Sequence, residues 1–333
     1  MVNSKKFKII PVSFDQLGDW NDLVKNSEQS SIFFLDDYLR CTGREYLLYF
    51  IYKGNEIKAG VALILSSDRL KVVLDDLVIY SGLVFRNDLT QKKVKSLQEK
   101  FEITEFVLAE LDKKFKSIEI AFHPSLKDIR PLLWYNYHTP ELGRYIVELR
   151  YTSFIDISEF FLKRAEEHMS LFSELENSRQ SDIRKARRDR VLVEQGNCVD
   201  LFIEFYSKLM GRQNQIFGSD KKERMQILIG NLIESEQARL FYVRNQSGEI
   251  TYITIFTLYN HQACYLFGAG DSDRATKYDG TICVWESFRQ LANYGIEAVD
   301  LEGVNSPQRG WFKLSFGGTL VPYYQVYKAA QNA

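Results

Sequence analysis

An internal echo constrains this chain more than any other feature. Residues 49–65, YFIYKGNEIKAGVALIL, and residues 241–257, FYVRNQSGEITYITIFT, each read as an aromatic strand, a polar turn containing glycine, and an apolar strand. Each is followed by another strand, a helix and a further strand. In the first half these are 71–76 (KVVLDD) and 77–85 (LVIYSGLVF), a long amphipathic helix over about Thr90 to Phe115, and 117–122 (SIEIAF). In the second half they are 262–270 (QACYLFGAG), a helix over about Gly280 to Asn293, and 296–303 (IEAVDLEG). An order repeated in this way points to two copies of one α/β unit, and 333 residues supply two cores of about 150 residues each.

The pass along the chain predicts an opening strand at 8–12 and a helix capped by Ser13, with Gln16 at the capping-box position. The Lys53-Gly54-Asn55 turn marks a hairpin, because Gly and Asn accept positive φ. A charged helical stretch is expected from roughly Ser158 to Asp189, then helices at 199–213 and 221–235. The run 319–328, TLVPYYQVYK, reads as a closing strand. These elements predict a first domain over 1–149 and a second over 150–318, with a final strand (319–330) returning to the first.

Composition narrows the partners. Forty-three basic residues against 44 acidic ones give a net charge of −1, so no global attraction to DNA, other nucleic acid or anionic lipid is expected and any polyanion must meet a local patch. No apolar run is long enough to span a bilayer, and the N-terminus lacks a signal-peptide core. Cys41, Cys198, Cys264 and Cys283 are scattered without C-x-x-C, which reads as buried thiols in a reducing compartment, the cytoplasm by default. His123, His138, His168 and His261 show no metal-ligand spacing, and no metal is expected. The motifs of serine hydrolases, zincins, P-loop ATPases and dinucleotide dehydrogenases are missing.

Three segments could carry chemistry. Residues 178–190, SRQSDIRKARRDR, hold six positive and two negative charges, with Arg184 and Arg188 on one helix face. The segment reads either as a solvated surface or as a phosphate patch. Residues 300–318, DLEGVNSPQRGWFKLSFGG, place Asp300 and Glu302 on one face of a strand end and set Lys313 among aromatics. Partly desolvated by Trp311 and Phe312, Lys313 could stabilise an oxyanion, with Gly317 and Gly318 letting a substrate approach the backbone. It could equally be a snorkelling surface lysine. Asp300 and Glu302 are candidate bases, or ion-pair and capping residues. The third is the Gly-rich loop 268–280 before a helix N-terminus, where Gly280 and Thr281 could meet an anion.

In order, S-R-x-x-x-I-R-K-A, a helix ending in Gly-Arg at Arg212, YLFGAG, a Trp-containing helix closed by Tyr-Gly, DLEG and FKLSFGG followed by YY resemble the Fem peptidyltransferases. The resemblance runs over most of the chain and is strongest from about Arg179 to Tyr324. It implies an α/β fold of two tandem GNAT-like domains with mixed, mainly antiparallel sheets. It also implies aminoacyl transfer to an amino group of a nucleotide- or lipid-linked envelope precursor. By motif, Lys313 with Phe312 corresponds to the family's transition-state-stabilising pair, Arg212 to its precursor-phosphate arginine and, more loosely, Arg40 to an N-terminal phosphate-binding lysine. Arg184 is a further substrate-binding candidate. No tightly bound cofactor is implied; the co-substrate would be aminoacyl-tRNA or acyl-CoA.

The family's usual location is cytoplasmic, including the inner membrane face. Departures from the pattern are His123-Pro124 where Asp-Pro is common, no inserted helical arm, and RATKYDGTIC (274–283) in place of the GNAT pyrophosphate loop. Two alternatives stay open: acyl-CoA-dependent N-acylation of an envelope sugar, and a non-catalytic GNAT-like binding scaffold.

Overall fold

The structure is a computed structural model that describes residues 6–87 and 92–328. In chain order its strands and α-helices are β1 (Lys8–Pro11), α1 (Leu17–Lys25), α2 (Asp36–Cys41), β2 (Tyr46–Lys53), β3 (Glu56–Ile64) and β4 (Gly82–Phe85). Then come α3 (Lys93–Lys114), β5 (Ile118–Ala121), α4 (Arg130–Trp134), β6 (Ile146–Asp156), α5 (Ser170–Glu174), α6 (Asn177–Arg188) and β7 (Val193–Gly196). The remainder are α7 (Val199–Arg212), α8 (Ser219–Glu234), β8 (Ala238–Arg244), β9 (Ile250–Tyr259), β10 (Gln262–Gly270), α9 (Asp279–Asn293), β11 (Ala298–Asp300), α10 (Pro307–Leu314) and β12 (Thr319–Lys328).

The chain divides into two compact units, one of Met1–Arg150 with Pro322–Ala333, the other of Tyr151–Val321. In the first, β1, β2, β3 and β4 pair antiparallel in sequence order. Gly54 sits at φ +61 in the β2–β3 turn, where a side chain would be strained. Residues Gln325–Lys328 of the closing strand pair antiparallel with β5. The core lies between the sheet and α3, with Ile51, Val61, Leu63, Leu108 and Leu111 buried together. Burial of each such side chain contributes roughly 1.5–3 kcal/mol.

In the second unit, β7, β8, β9 and β10 are antiparallel neighbours, β10 runs parallel to β11, and β11 is antiparallel to Phe154–Asp156 of β6. The core gathers around α9: Ile282, Val284, Trp285, Phe288 and Leu291 are almost fully buried against Phe241 and Phe256.

Several local expectations give way. KVVLDD is no strand; its β pairing is confined to isolated bridges such as Leu65↔Val72 and Lys71↔Ser117, although Val72 is buried in the core. LVIYSGLVF is strand only over its last four residues, and IEAVDLEG only at Ala298–Asp300. The 158–189 stretch breaks into 3₁₀ turns at Ser158–Leu162 and Glu166–His168 before α5 and α6. Lys163 at φ +48 ends the first turn, which no continuing helix allows. The capping box at Ser13 forms, but it opens a 3₁₀ turn that leads into α1. Thr90, the expected start of the long helix, and the end of the expected 319–330 strand lie outside the described residues.

Candidate functional site

Parallel pairing of β10 with β11 lasts three residues, ending at Cys264↔Asp300. β10 continues to Gly270, still paired with β9 and carrying a bulge between Tyr265 and Phe267. The other chain turns away. Leu301 N–H donates to the Ser153 carbonyl at 2.8 Å, and Glu302 and Gly303 both take left-handed backbone at φ +49. The two strands therefore part, and the residues after Cys264 lose β11 as a partner.

Lys313 lies at this parting. Its ammonium donates to the Glu302 carbonyl at 2.8 Å, reaches the Glu302 carboxylate at 3.4 Å, and stands 5.0 Å from the Tyr265 ring centroid. The side chain is only 11% exposed. Three donors on the ammonium against these two oxygen contacts leave one N–H without an acceptor among the described residues. The sequence expected Trp311 to desolvate this lysine, but WFK belongs to helix α10. Residues two apart on a helix point to nearly opposite sides, so Trp311 is 73% exposed and the burial comes from Tyr265 instead.

Asp300 and Glu302 do not share a strand face, since the strand ends at Asp300. The Asp300 carboxylate accepts from the Thr152 hydroxyl and from Glu302 N–H at 2.8 Å, so it fixes the turn. Burial pushes the Glu302 carboxyl above its ordinary range; the Lys313 ammonium opposes the shift and the Asp300 charge adds to it. Burial likewise raises the Cys264 thiol, with Asp300 and Glu302 adding to it.

The Tyr265 ring beneath the lysine is buried, and its hydroxyl pairs with that of the partly buried Tyr252. Burial raises both, Tyr252 to about 12 and Tyr265 well above its usual value. The strand admits them because of its glycines: a Cβ at Gly268 would lie 1.9 Å from the Tyr265 hydroxyl. Neither tyrosine stands out in the sequence, although glycines at 268 and 270, two apart on a strand, signal something pressed against its face.

Arg179 fixes α10. Its Nε donates to Ser315 Oγ at 2.9 Å and its Nη1 to Thr281 Oγ1 at 2.7 Å and Asp182 at 3.1 Å, with the guanidinium 5.1 Å from the Phe312 ring centroid. Phe312, half-buried, packs edge-on against Phe316 at 5.4 Å. The S-R-x-x-x-I-R-K-A motif thus splits. Arg179 braces, Ile183 and Ala186 are buried, and Arg184 and Lys185 face solvent.

The other candidates fall elsewhere. Arg184 is exposed, bonded to Gln180 at 3.2 Å and stacked over Phe172. Arg212 ends α7, exposed, its side chain without a hydrogen bond or ion pair among the described residues. Arg40, in the first unit, is held by Asp36 at 3.3 Å and by Asp37. Gly280 and Thr281 are buried inside the first turn of α9, and the Asp279 carboxylate accepts from Thr276 N–H at 3.0 Å and the Thr251 hydroxyl at 2.7 Å. Gly317 and Gly318 face protein rather than open space: a Cβ on them would meet Glu174 at 3.0 Å and Ser153 Oγ at 2.3 Å. Of the cysteines, Cys264 and Cys283 are buried and Cys41 and Cys198 partly so. Among the described residues no His, Cys, Asp and Glu group could hold a metal, and no helix is long and apolar enough to cross a membrane.

Solved structures resemble this fold over the whole chain. A structure of FemX superposes with a TM-score of 0.64 at 12% identity, covering 95% of this chain and 96% of that one. A tandem GNAT protein from the clavulanic acid biosynthesis pathway gives 0.56 at 9% identity over 98% and 99%. A GNAT-family acetyltransferase from Colwellia psychrerythraea gives 0.51 at 11% over 97% and 99%. The fold is therefore a Fem-like tandem GNAT fold. No protein-family model and no curated protein matches the sequence.

Proposed function

We propose that the protein transfers an aminoacyl or acyl group to an amino group of a nucleotide- or lipid-linked envelope precursor, with Lys313 as its oxyanion-stabilising cation. The observation that carries the reading is the Lys313 ammonium, buried at the strand parting with one donor to spare. Attack by the acceptor nitrogen forms the C–N bond and puts negative charge on the carbonyl oxygen. Collapse of that intermediate breaks the bond to the leaving group, which takes up a proton. A cation in a site of low dielectric stabilises the oxyanion more than one in water. Glu302, its carboxyl raised by burial, is the group to accept the attacking nitrogen's proton. Phe312 and Arg179 position the helix that carries the lysine.

The start of α9 favours aminoacyl-tRNA over acyl-CoA as donor. A diphosphate bound there would meet the negative charge of Asp279, which stands in the first turn of α9 and already complements its dipole. Arg212 and Arg184, both exposed, are the candidates for phosphates of donor or precursor. The test is a screen of labelled aminoacyl-tRNA and acetyl-CoA against uridine-diphosphate-linked acceptors. Transfer from aminoacyl-tRNA is expected, with an acid limb in the rate above the ordinary carboxylate range that Glu302→Gln removes. Transfer from acetyl-CoA alone would reassign the donor, and transfer from neither would leave a binding scaffold.

A further inference from the structure

Helix α3 begins without a core beneath it. It spans Lys93–Lys114, yet its first buried residue is Ile103. Val94 is 70% exposed and Leu97 47%, and with Phe101 they fall at the three- and four-residue spacing that lines one helix face. The Phe101 ring meets Trp134 at 5.4 Å, and Leu133, Trp134 and Tyr137 on and after α4 are 42%, 52% and 59% exposed. An apolar strip therefore crosses from α3 to α4 through the Phe101–Trp134 contact, over whose rings lies the Arg130 guanidinium, paired with Asp128. Lys92, Lys93 and Lys95 flank it, all exposed and without an ion pair among the described residues, whereas Lys100 further along is paired with Glu28.

We propose that this face docks on an anionic lipid bilayer, with Val94, Leu97 and Trp134 at the headgroup–acyl boundary and Lys92, Lys93 and Lys95 on lipid phosphates. Free lysines are what choose between occupants. Protein interfaces are depleted of lysine, while a lipid surface accepts the ammonium in its headgroups and the apolar stem alongside. Trp and Tyr are the residues enriched at membrane–water boundaries. The proposal stands apart from the Lys313 site and is tested without it.

The full chain carrying Trp311→Phe leaves Trp134 as its exposed tryptophan, since Trp20 and Trp285 are fully buried. Titrated with phosphatidylglycerol–phosphatidylcholine vesicles, it should sediment with them and show a blue shift in fluorescence. Pure phosphatidylcholine should bind far less. Each lysine lost weakens binding about fivefold, so Lys92→Gln, Lys93→Gln and Lys95→Gln together should cost roughly a hundredfold. Val94→Ser with Leu97→Ser should cost about tenfold or more, with the melting curve unchanged because both sites are exposed. No binding to the anionic vesicles would overturn the proposal. So would binding indifferent to these substitutions, or a blue shift that appears without lipid on self-association in sedimentation velocity.

Discussion

Both units run strand, long helix, strand, and they differ just beyond that last strand. In the first, β5 leads to His123, whose ring lies edge-on to Tyr80 at 5.1 Å while Nδ1 accepts the Ser125 N–H at 3.2 Å. In the second, β11 leads to Glu302, which holds Lys313 at 5.0 Å from the Tyr265 ring centroid. Each unit sets a polar group against a tyrosine. The first keeps it neutral: burial lowers the His123 pKa to about 4. The second keeps a pair of opposite charges, which stability alone does not favour, since desolvating both ions offsets most of their attraction. The difference teaches where to look for chemistry. A neutral buried ring suits a structural or binding role, while an ion pair kept at a strand parting suits a reaction.

The comparison is sharpened first by removing the brace. Arg179→Met leaves Asp182, only 15% exposed, without its cation and frees Ser315 and Thr281. Stability of the second unit should fall by about 3–5 kcal/mol, as when one partner of a buried pair is removed. Denaturant unfolding followed by a second-unit probe checks it, and a loss under about 1 kcal/mol would mean α10 is held by packing alone.

Acid should act on the first unit through His123. Its pKa is lower in the folded state than its value of 6.5 in a free chain, so the unfolded chain binds the extra proton. The stabilising contribution is therefore full above pH 6.5 and is lost as pH falls toward 4, by about 3 kcal/mol in all. Chemical denaturation across that range should show the slope in wild type and lose it in His123→Gln. A slope of opposite sign would mean that the imidazole is charged.

Smaller again is Arg212→Ala, which should weaken binding of a uridine-diphosphate-linked precursor about tenfold to a hundredfold, the loss of one charge-assisted contact. Calorimetric titration reads it directly, and unchanged affinity would return Arg212 to ordinary surface.

The hairpins, β10 and α9 were legible because their signals are local. Gly54 marks a turn, and a long apolar strand followed by an amphipathic helix is visible in period alone. What failed depended on distant partners. KVVLDD has strand composition but meets only isolated bridges, and Ile146–Asp156, a long strand, was not recognised at all. At the candidate site the motif points to Lys313, but its surroundings differ from those the sequence suggests, because WFK is helical and DLEG stops being a strand at Asp300. A change from period two to period 3.6 exchanges which neighbours share a face. Tyr265, 48 positions earlier in the chain, could not be matched to Lys313 by spacing.

The most direct measurement is single-turnover transfer by Lys313→Ala, with substrate binding and unfolding monitored in parallel. The account expects the rate to fall by about 10²–10³ with little change in affinity. Lys313→Arg should recover little of it, because a planar fork does not replace a compact ammonium. A Lys313→Ala protein that transfers at the wild-type rate, or that loses rate only in step with its folded fraction, would make the Lys313–Glu302 pair a structural brace and contradict the account.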